Sequence, residues 1–190
     1  VARDGSGAVL ERAGQTAAIL APIALRNGAR LDLAAEKRGN VVVLNGTHAT
    51  VRMEIKGDEV QIAIESRTSC EGPVVRVPGG LEQGLLAGLE YLGKGESSSS
   101  TLDIEGPEHL RFEPNPMDVT MPLMAFVTDR AAVGMTWNDM ALQPVFAAPN
   151  VHDGTPDHRM SLKGKSIKAV LLAGPGWKEG GRLEDTILRT

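Results

Sequence analysis

One cysteine, Cys70, stands among 190 residues, so no internal disulfide can form. A lone cysteine of this kind is expected to act as a small buried hydrophobe, since no signature of a reactive thiol surrounds it. Lack of disulfides fits the cytosol and fits equally a large secreted bacterial protein that does not depend on them. Aromatic side chains make up only 3% of the chain, so a core must rest on Val, Ile, Leu, Ala and Met. No apolar run reaches the roughly 18 residues that span a bilayer, which argues against membrane insertion. Basic residues are not in excess: 20 Lys and Arg face 24 Asp and Glu, for a net charge of -4. That balance argues against non-specific nucleic-acid binding and against a polybasic membrane patch, both of which need clustered cations. A sustained helical period is missing as well. The one helix-like stretch, GGLEQGLLAGL, contains Gly80, Gly84 and Gly88 and would make a poor helix.

What the sequence does have is alternation. Val51, Met53 and Ile55 alternate with Arg52, Glu54 and Lys56, and Val60, Ile62 and Ile64 alternate with Gln61, Ala63 and Glu65. A period of two over successive short segments predicts antiparallel strands with one dry face. Asn45-Gly46 between β-rich runs predicts a type I′ hairpin, and Lys56-Gly57-Asp58-Glu59 a further turn. Leu31 and Leu33 extend the meander on its N-terminal side. In the second half, residues 119 to 128 read as a strand with an edge or bulge at Pro122, followed by strands through VGMTW and MALQPVFA. HRMSLKGKSIKAVLLA reads as a hairpin around Gly164. Residues 93 to 118, with Ser97 to Ser100, Pro107, Pro114 and Pro116, read as a long polar loop of the kind that carries function on sandwiches. The fold expected is an all-β antiparallel sandwich over residues 1–175. Residues 176–190 are expected to be a linker leading into the start of a following helical domain. With no initiator Met and no signal sequence at Val1, the chain reads as a mature or excised fragment.

The stretch Gly88-Leu-Glu-Tyr-Leu-Gly93-Lys94-Gly95 differs by one residue from the phosphate-cradling G-x-x-x-x-G-K-[ST] pattern. The mechanism behind that pattern is absent. Its middle is strand-like, Gly95 stands where a hydroxyl should reach Mg²⁺, and no βαβ context surrounds it. Residues 85 to 92 are expected to be a strand ending in a Gly-Lys-Gly turn; the serines that follow either cap turns and bond to the backbone or, with Glu96, are carried by the loop over a binding face.

Several constellations could carry chemistry. His152, Asp153, Asp157 and His158, in NVHDGTPDHRM, are residue types that suit a divalent ion. Gly154 and Pro156 mark the same stretch as a turn, and no metal or cofactor is assigned to it. Arg159 could pair with Asp157 or with a neighbour across the sheet. Trp137, one of two tryptophans, precedes an Asn-Asp turn, where an aromatic ring could pack on the C–H face of a sugar while Asp139 bonds its hydroxyls. The same residue could equally seal the edge of the core. Tyr91, the one tyrosine, is either a half-buried strand residue or a ligand contact. Acid catalysis on sugars needs two facing carboxylates. Glu90, Glu96, Asp139, Asp153 and Asp157 are candidates, but there is no G-x-S-x-G elbow and no H-E-x-x-H.

The run GLEYLGKGESSSSTLDIEGPEHLRF, followed by VTMPLMAFV, MALQPVFAAPN and DHRMSL, resembles the β-sandwich region of large secreted bacterial proteins that act on or near polysaccharides. In such proteins a supersandwich of the galactose-mutarotase type often precedes an (α/α) toroid. The resemblance covers roughly residues 75 to 165. It implies a secreted or periplasmic carbohydrate-binding or accessory domain, with a carbohydrate ligand and an adjacent domain of the same chain as partners. Mutarotases use paired His and a Glu base on a concave sheet, a pattern to which His109, His152 and His158 do not align. The expected ligand-binding set is Glu90, Glu96, Arg111, Trp137, Asp139, His152, Asp153, Asp157, His158 and Arg159. The rival expectations are a glycoside hydrolase, lyase or mutarotase-like enzyme and a purely structural sandwich. A concave groove with Trp137 exposed would favour binding, whereas a flat face with Trp137 buried would favour the structural role.

Overall fold

A computed structural model describes residues 7–21, 33–94, 111–112, 115–147 and 158–187. Within them the chain forms the antiparallel sandwich that the alternation calls for. Strand β5 (Ala49–Lys56) buries Ala49, Val51 and Met53 and turns Thr50 and Arg52 outward. Its partner β6 (Glu59–Glu71) buries Val60, Ile62 and Ile64 in register. Each such aliphatic side chain contributes about 1.5–3 kcal/mol by leaving water. Ile55, which the pattern places on the dry face, is exposed near the end of β5, where the core stops.

Two layers face each other. One runs β3 (Ala34–Arg38), β4 (Val41–Asn45), β5, the first half of β6, the C-terminal half of β14 (His158–Pro175), β12 (Ala131–Trp137), β11 (Leu123–Thr128), β8 (Leu81–Leu86) and β9 (Glu90–Leu92). The other is built from β1 (Ala8–Arg12), β2 (Gln15–Ala21), β7 (Val74–Val77), the N-terminal half of β14, β13 (Gln143–Ala147) and β10 (Arg111–Phe112). Phe126 on β11 reaches across the gap between them. Its ring lies 4.8 Å from that of Phe146 and 5.1 Å from that of His158, centroid to centroid. With so few aromatics in the chain, this trio concentrates the large side chains at the seam.

Strand β14 belongs to both layers, and here the expected hairpin around Gly164 is corrected. The chain runs on as one strand of 18 residues. Residues His158 to Met160 pair with β7, and Ala169 to Pro175 pair with β12. The switch falls at a bulge between Gly164 and Ser166. Gly164 has no positive φ and so forms no tight turn. Its missing Cβ instead makes room for the Leu142 side chain packed against it.

Three other expectations are corrected. Asn45-Gly46 does not form a type I′ turn, because neither residue has a positive φ. A three-residue loop, Gly46 to His48, joins β4 to β5 and is closed by the Gly46 N–H donating to the Ala49 carbonyl at 3.0 Å. Residues 85 to 92 are not one strand but the end of β8, a turn, and β9. Its central pair Ala87-Gly88 has φ 50 and 71, and Leu89 N–H donates to the Leu86 carbonyl at 2.8 Å, which is type I′ geometry. Residues 119 to 122 lie outside β11, which starts immediately after Pro122, a residue with no N–H to give to a ladder. The Gly57-Asp58 turn is where the sequence places it. Leu31 and most of the long loop of residues 93 to 118 lie outside the described residues.

After β14 the chain turns back. A 3₁₀ turn, Trp177–Glu179, leads into the short helix α1 (Leu183–Ile187). Trp177, Leu183 and Ile187 pack over Ala125, Val127 and Ala132 on the outer face of the first layer. Part of the segment read as a linker is therefore docked on the sheet. No helix among the described residues is long and apolar enough to cross a membrane.

Two measurements check this architecture. Phe126 is fully buried at the seam. Phe126→Ala is expected to lower the unfolding free energy by about 3–5 kcal/mol, read from urea titration. Ala13 sits in the β1–β2 turn at φ 49, a conformation that costs a residue with a Cβ. Ala13→Gly is expected to raise stability, by at most about 1 kcal/mol once the extra freedom of glycine in the unfolded chain is subtracted. A loss of stability would mean that the turn does not impose this strain.

Candidate functional site

The outer face of the first layer is the surface that the core does not use. Antiparallel pairing puts partnered residues on the same face, so the registers fix which side chains stand together. Arg52 on β5, Ala63 on β6 and Lys168 on β14 form one cross-strand row. Glu54, Gln61, Val170 and Thr136 form the next, across β5, β6, β14 and β12. These two rows line an open cleft of about 420 Å³, bounded at the end of β12 by Trp137 and Asn138. The floor is apolar, from Ala63 and Val170, and the polar groups stand around it. α1 covers another part of the same face and leaves this part open.

The charges in the cleft are arranged unequally. Arg52 Nη2 donates to Glu54 Oε2 at 2.9 Å. Lys56 approaches the other carboxylate oxygen at 3.6 Å and donates to Gln61 Oε1 at 2.9 Å. The hydrogen bond from Arg52, with the nearby Lys56 charge, holds the Glu54 carboxyl below the usual carboxylate range. Glu54 is therefore an ionised, clasped group, poorly suited to giving up a proton as a general acid. Lys168 has no hydrogen bond or ion pair among the described residues. Thr136 Oγ1 donates to the Pro122 carbonyl at 2.8 Å, which anchors the end of β12 beside the cleft.

A second hollow, of about 700 Å³, lies where β2, the β11–β12 turn and the 3₁₀ turn meet. Of the charges that line it, Asp129, Lys178 and Glu179 are paired, and Arg130 also lines it. Lys178 Nζ sits 2.9 Å from Asp129 Oδ2 and Arg12 Nη1 3.2 Å from Glu179 Oε2. Asp129 also accepts from the Gly80 N–H at 3.2 Å. These pairs hold the C-terminal segment to the sandwich.

The structure scatters the residues singled out from sequence. Trp137 does line the cleft, but it is only 4% exposed. Its ring is a core side chain and offers no open stacking face. Its indole N–H has no acceptor among the described residues. Asp139 is exposed in the turn after β12, where Oδ1 accepts from the Ala141 N–H at 2.9 Å, a local backbone cap. His158 is buried against Phe126 in the core. Arg159 is half-buried and lies opposite Arg76 on β7 and Ala147 on β13, and Arg111 on β10 falls in the same cross-strand row. Arg111 and Arg159 thus share one row of the second layer, with Ala147 between them, away from the cleft. Glu90 pairs with Leu86 at the end of the first layer. Glu96, His152, Asp153 and Asp157 lie outside the described residues, and with them the metal-compatible stretch. Among the described residues no three or more His, Cys, Asp or Glu gather as a metal site would require. Tyr91 is 54% exposed, and its hydroxyl accepts from Gln83 Nε2 at 3.0 Å. Gln83 Oε1 in turn accepts from Leu183 N–H at 2.9 Å, tying β9 to α1. Lys94, the lysine of the P-loop-like stretch, is paired with Glu82 at 2.9 Å.

Sequence reading missed Arg52, Gln61, Asn138 and Lys168 as site residues. Arg52 and Gln61 stand in the polar half of an alternating pattern, which says only that a residue faces outward, while Asn138 stands in the Asn-Asp turn and Lys168 in the stretch read as a hairpin.

No protein-family model matches the chain, and no curated protein matches it. Among solved structures it is similar to a GH31 family sulfoquinovosidase from E. rectale in complex with an aza-sugar inhibitor, at 8% identity and a TM-score of 0.44 over 77% of this chain and 24% of that one. It is also similar to the Slr1438 protein from Synechocystis sp. PCC 6803, at 8% identity and a TM-score of 0.40, over 89% of this chain and 66% of that one. The chain thus spans about a quarter of the length of the sulfoquinovosidase. At these values neither likeness bears on site, ligand or activity.

The ion pairs predict an acid limb to stability. The hydrogen bond from Lys178 lowers the folded-state pKa of Asp129. A carboxyl depressed in the folded state contributes stability that is present above its unfolded value of about 4 and is lost as pH falls through the folded value. Asp129→Asn removes that contribution. The variant is expected to be less stable than the parent at neutral pH, with the difference shrinking toward strongly acidic pH. Thermal melts across this range would check it, and a pH-independent difference would show that the Asp129–Lys178 pair contributes nothing through its charge.

Proposed function

We propose that this chain is a carbohydrate-binding accessory sandwich, with the cleft on the outer face of the long layer as its ligand site. The observation that supports the reading is the composition of that cleft. An apolar floor is ringed by Arg52, Gln61, Asn138 and Lys168, side chains that give or accept hydrogen bonds at short range. Sugars present the complementary pattern, with C–H faces to lie on the floor and hydroxyls to meet the rim. The open shape suits a chain of sugar units that enters and leaves along the sheet. Among the described residues Glu54 is the one carboxylate lining the cleft. Glycoside hydrolysis with two carboxylates would need a second opposite it. Binding without turnover is the reading that the described cleft supports best. A role beside a neighbouring glycan-acting domain, outside the cytoplasm, belongs to the same proposal.

The burial of Trp137 favours a second reading, in which the sandwich only buttresses a neighbour. One experiment separates the two. Titration of the chain with a panel of neutral and acidic oligosaccharides, followed by Trp137 fluorescence in a Trp177→Phe background, is expected to show saturable binding. Gln61→Ala and Asn138→Ala are each expected to weaken it by about 2- to 10-fold, the worth of one hydrogen bond, while thermal melts stay unchanged. No binding to any member of the panel would leave the buttress as the function.

A further inference from the structure

We infer that the cleft selects sugars bearing an anionic group, a carboxylate or a sulfate, held over Ala63 between Arg52 and Lys168. The inference rests on the reading of the cleft as a carbohydrate site and names the class of ligand it takes. The first observation is charge. The chain as a whole carries a net charge of -4, yet among the described residues this cleft is lined by two cations and a single carboxylate. That carboxylate, Glu54, is already offset by Arg52 at 2.9 Å and by Lys56 at 3.6 Å. An excess of cations in a cleft of an acidic protein draws anions to it.

The second observation is the row itself. Arg52, Ala63 and Lys168 are direct cross-strand neighbours on three successive strands, β5, β6 and β14. Adjacent strands are about 4.8 Å apart, so the backbones under the two cations stand roughly 10 Å apart, with a single methyl group between them. The long side chains stand on either side of a low centre, and this saddle is where one carboxylate or sulfate would sit. Arg52 spends one Nη on Glu54, and the rest of its fork of donors remains for a ligand. Glu54 thereby fixes the guanidinium in place. Lys168 has no described partner and stands ready as a mobile point charge. The neutral Asn138 and Gln61 flank the saddle, where the hydroxyls of the same sugar would lie.

Isothermal titration with three matched ligands tests this: an oligogalacturonate, a sulfated galacto-oligosaccharide and a neutral galacto-oligosaccharide. Inorganic sulfate serves as a fourth arm. At least one acidic sugar is expected to bind about 10-fold or more tightly than the neutral one, with an affinity that falls as salt is raised. Lys168→Gln, a substitution of an exposed side chain that keeps a hydrogen-bonding group at the rim, is expected to cut that acidic-sugar affinity by about 10-fold and the neutral-sugar affinity by much less, so that the preference for the acidic sugar is lost. Preference for the uronate or for the sulfated ligand identifies which anion fits. Equal binding of neutral and acidic sugars, untouched by Lys168→Gln, overturns the inference and leaves the carbohydrate site standing. Inorganic sulfate binding as tightly as the acidic sugars overturns it in favour of a bare anion site. Absence of binding in all arms removes the carbohydrate reading and this inference with it.

Discussion

Strand β14 is the constraint on which the rest of the molecule depends. It hydrogen-bonds to β13 and β7 in its first half and to β6 and β12 in its second, so the two layers are held by one backbone. A hairpin at the same place would have let them shift relative to each other. The continuous strand fixes their register instead, and brings Phe126, Phe146 and His158 to the same seam. It also sets the outer surface. Lys168 and Val170 face out of the sandwich because Ile167, Ala169 and Leu171 face in. The cleft is thus a consequence of the core: a register slip of one residue would exchange the two sets and abolish both.

Much of this was legible in the sequence and some was not. Alternation in residues 49 to 65 identified the strands and their dry face, because period two is a property of the chain itself. Turn chemistry was less reliable. Asn45-Gly46 has the composition of a type I′ turn without the geometry, while Ala13-Gly14 and Ala87-Gly88 have the geometry with an alanine in the demanding position. Packing around the turn overrode local preference in both directions. Gly164 carried a different ambiguity. A glycine between two lysines marks a hairpin or a bulge, and only the partners on either side decide between them.

The site was the least legible part, for a physical reason. The sequence draws the eye to rare residues and dense polar clusters, and so to Trp137 and the stretch around His158. Trp137 and His158 are large side chains that the aromatic-poor core needs, and both are buried. The cleft is instead assembled from common residues of four strands, brought together by registers that no local pattern encodes. Arg52 and Lys168 are more than a hundred positions apart in the chain, yet Ala63 is the one residue between them on the sheet.

The clasp on Glu54 bears on the proposed site. An exposed ion pair contributes little to stability, so the bonds of Arg52 and Lys56 to Glu54 add little to the fold. Their geometry has another effect. A guanidinium that is free to rotate loses conformational entropy when it meets a ligand, whereas one already held by a carboxylate has lost part of it beforehand. Glu54 also keeps the two nearby cations from repelling each other in the empty cleft. Neutralising Glu54 would therefore act in two opposite ways, leaving the cleft more positive and its arginine less ordered. The sheet resolves the conflict by placing the carboxylate one row away from the saddle, near enough to orient Arg52 and outside the row where an anion would sit.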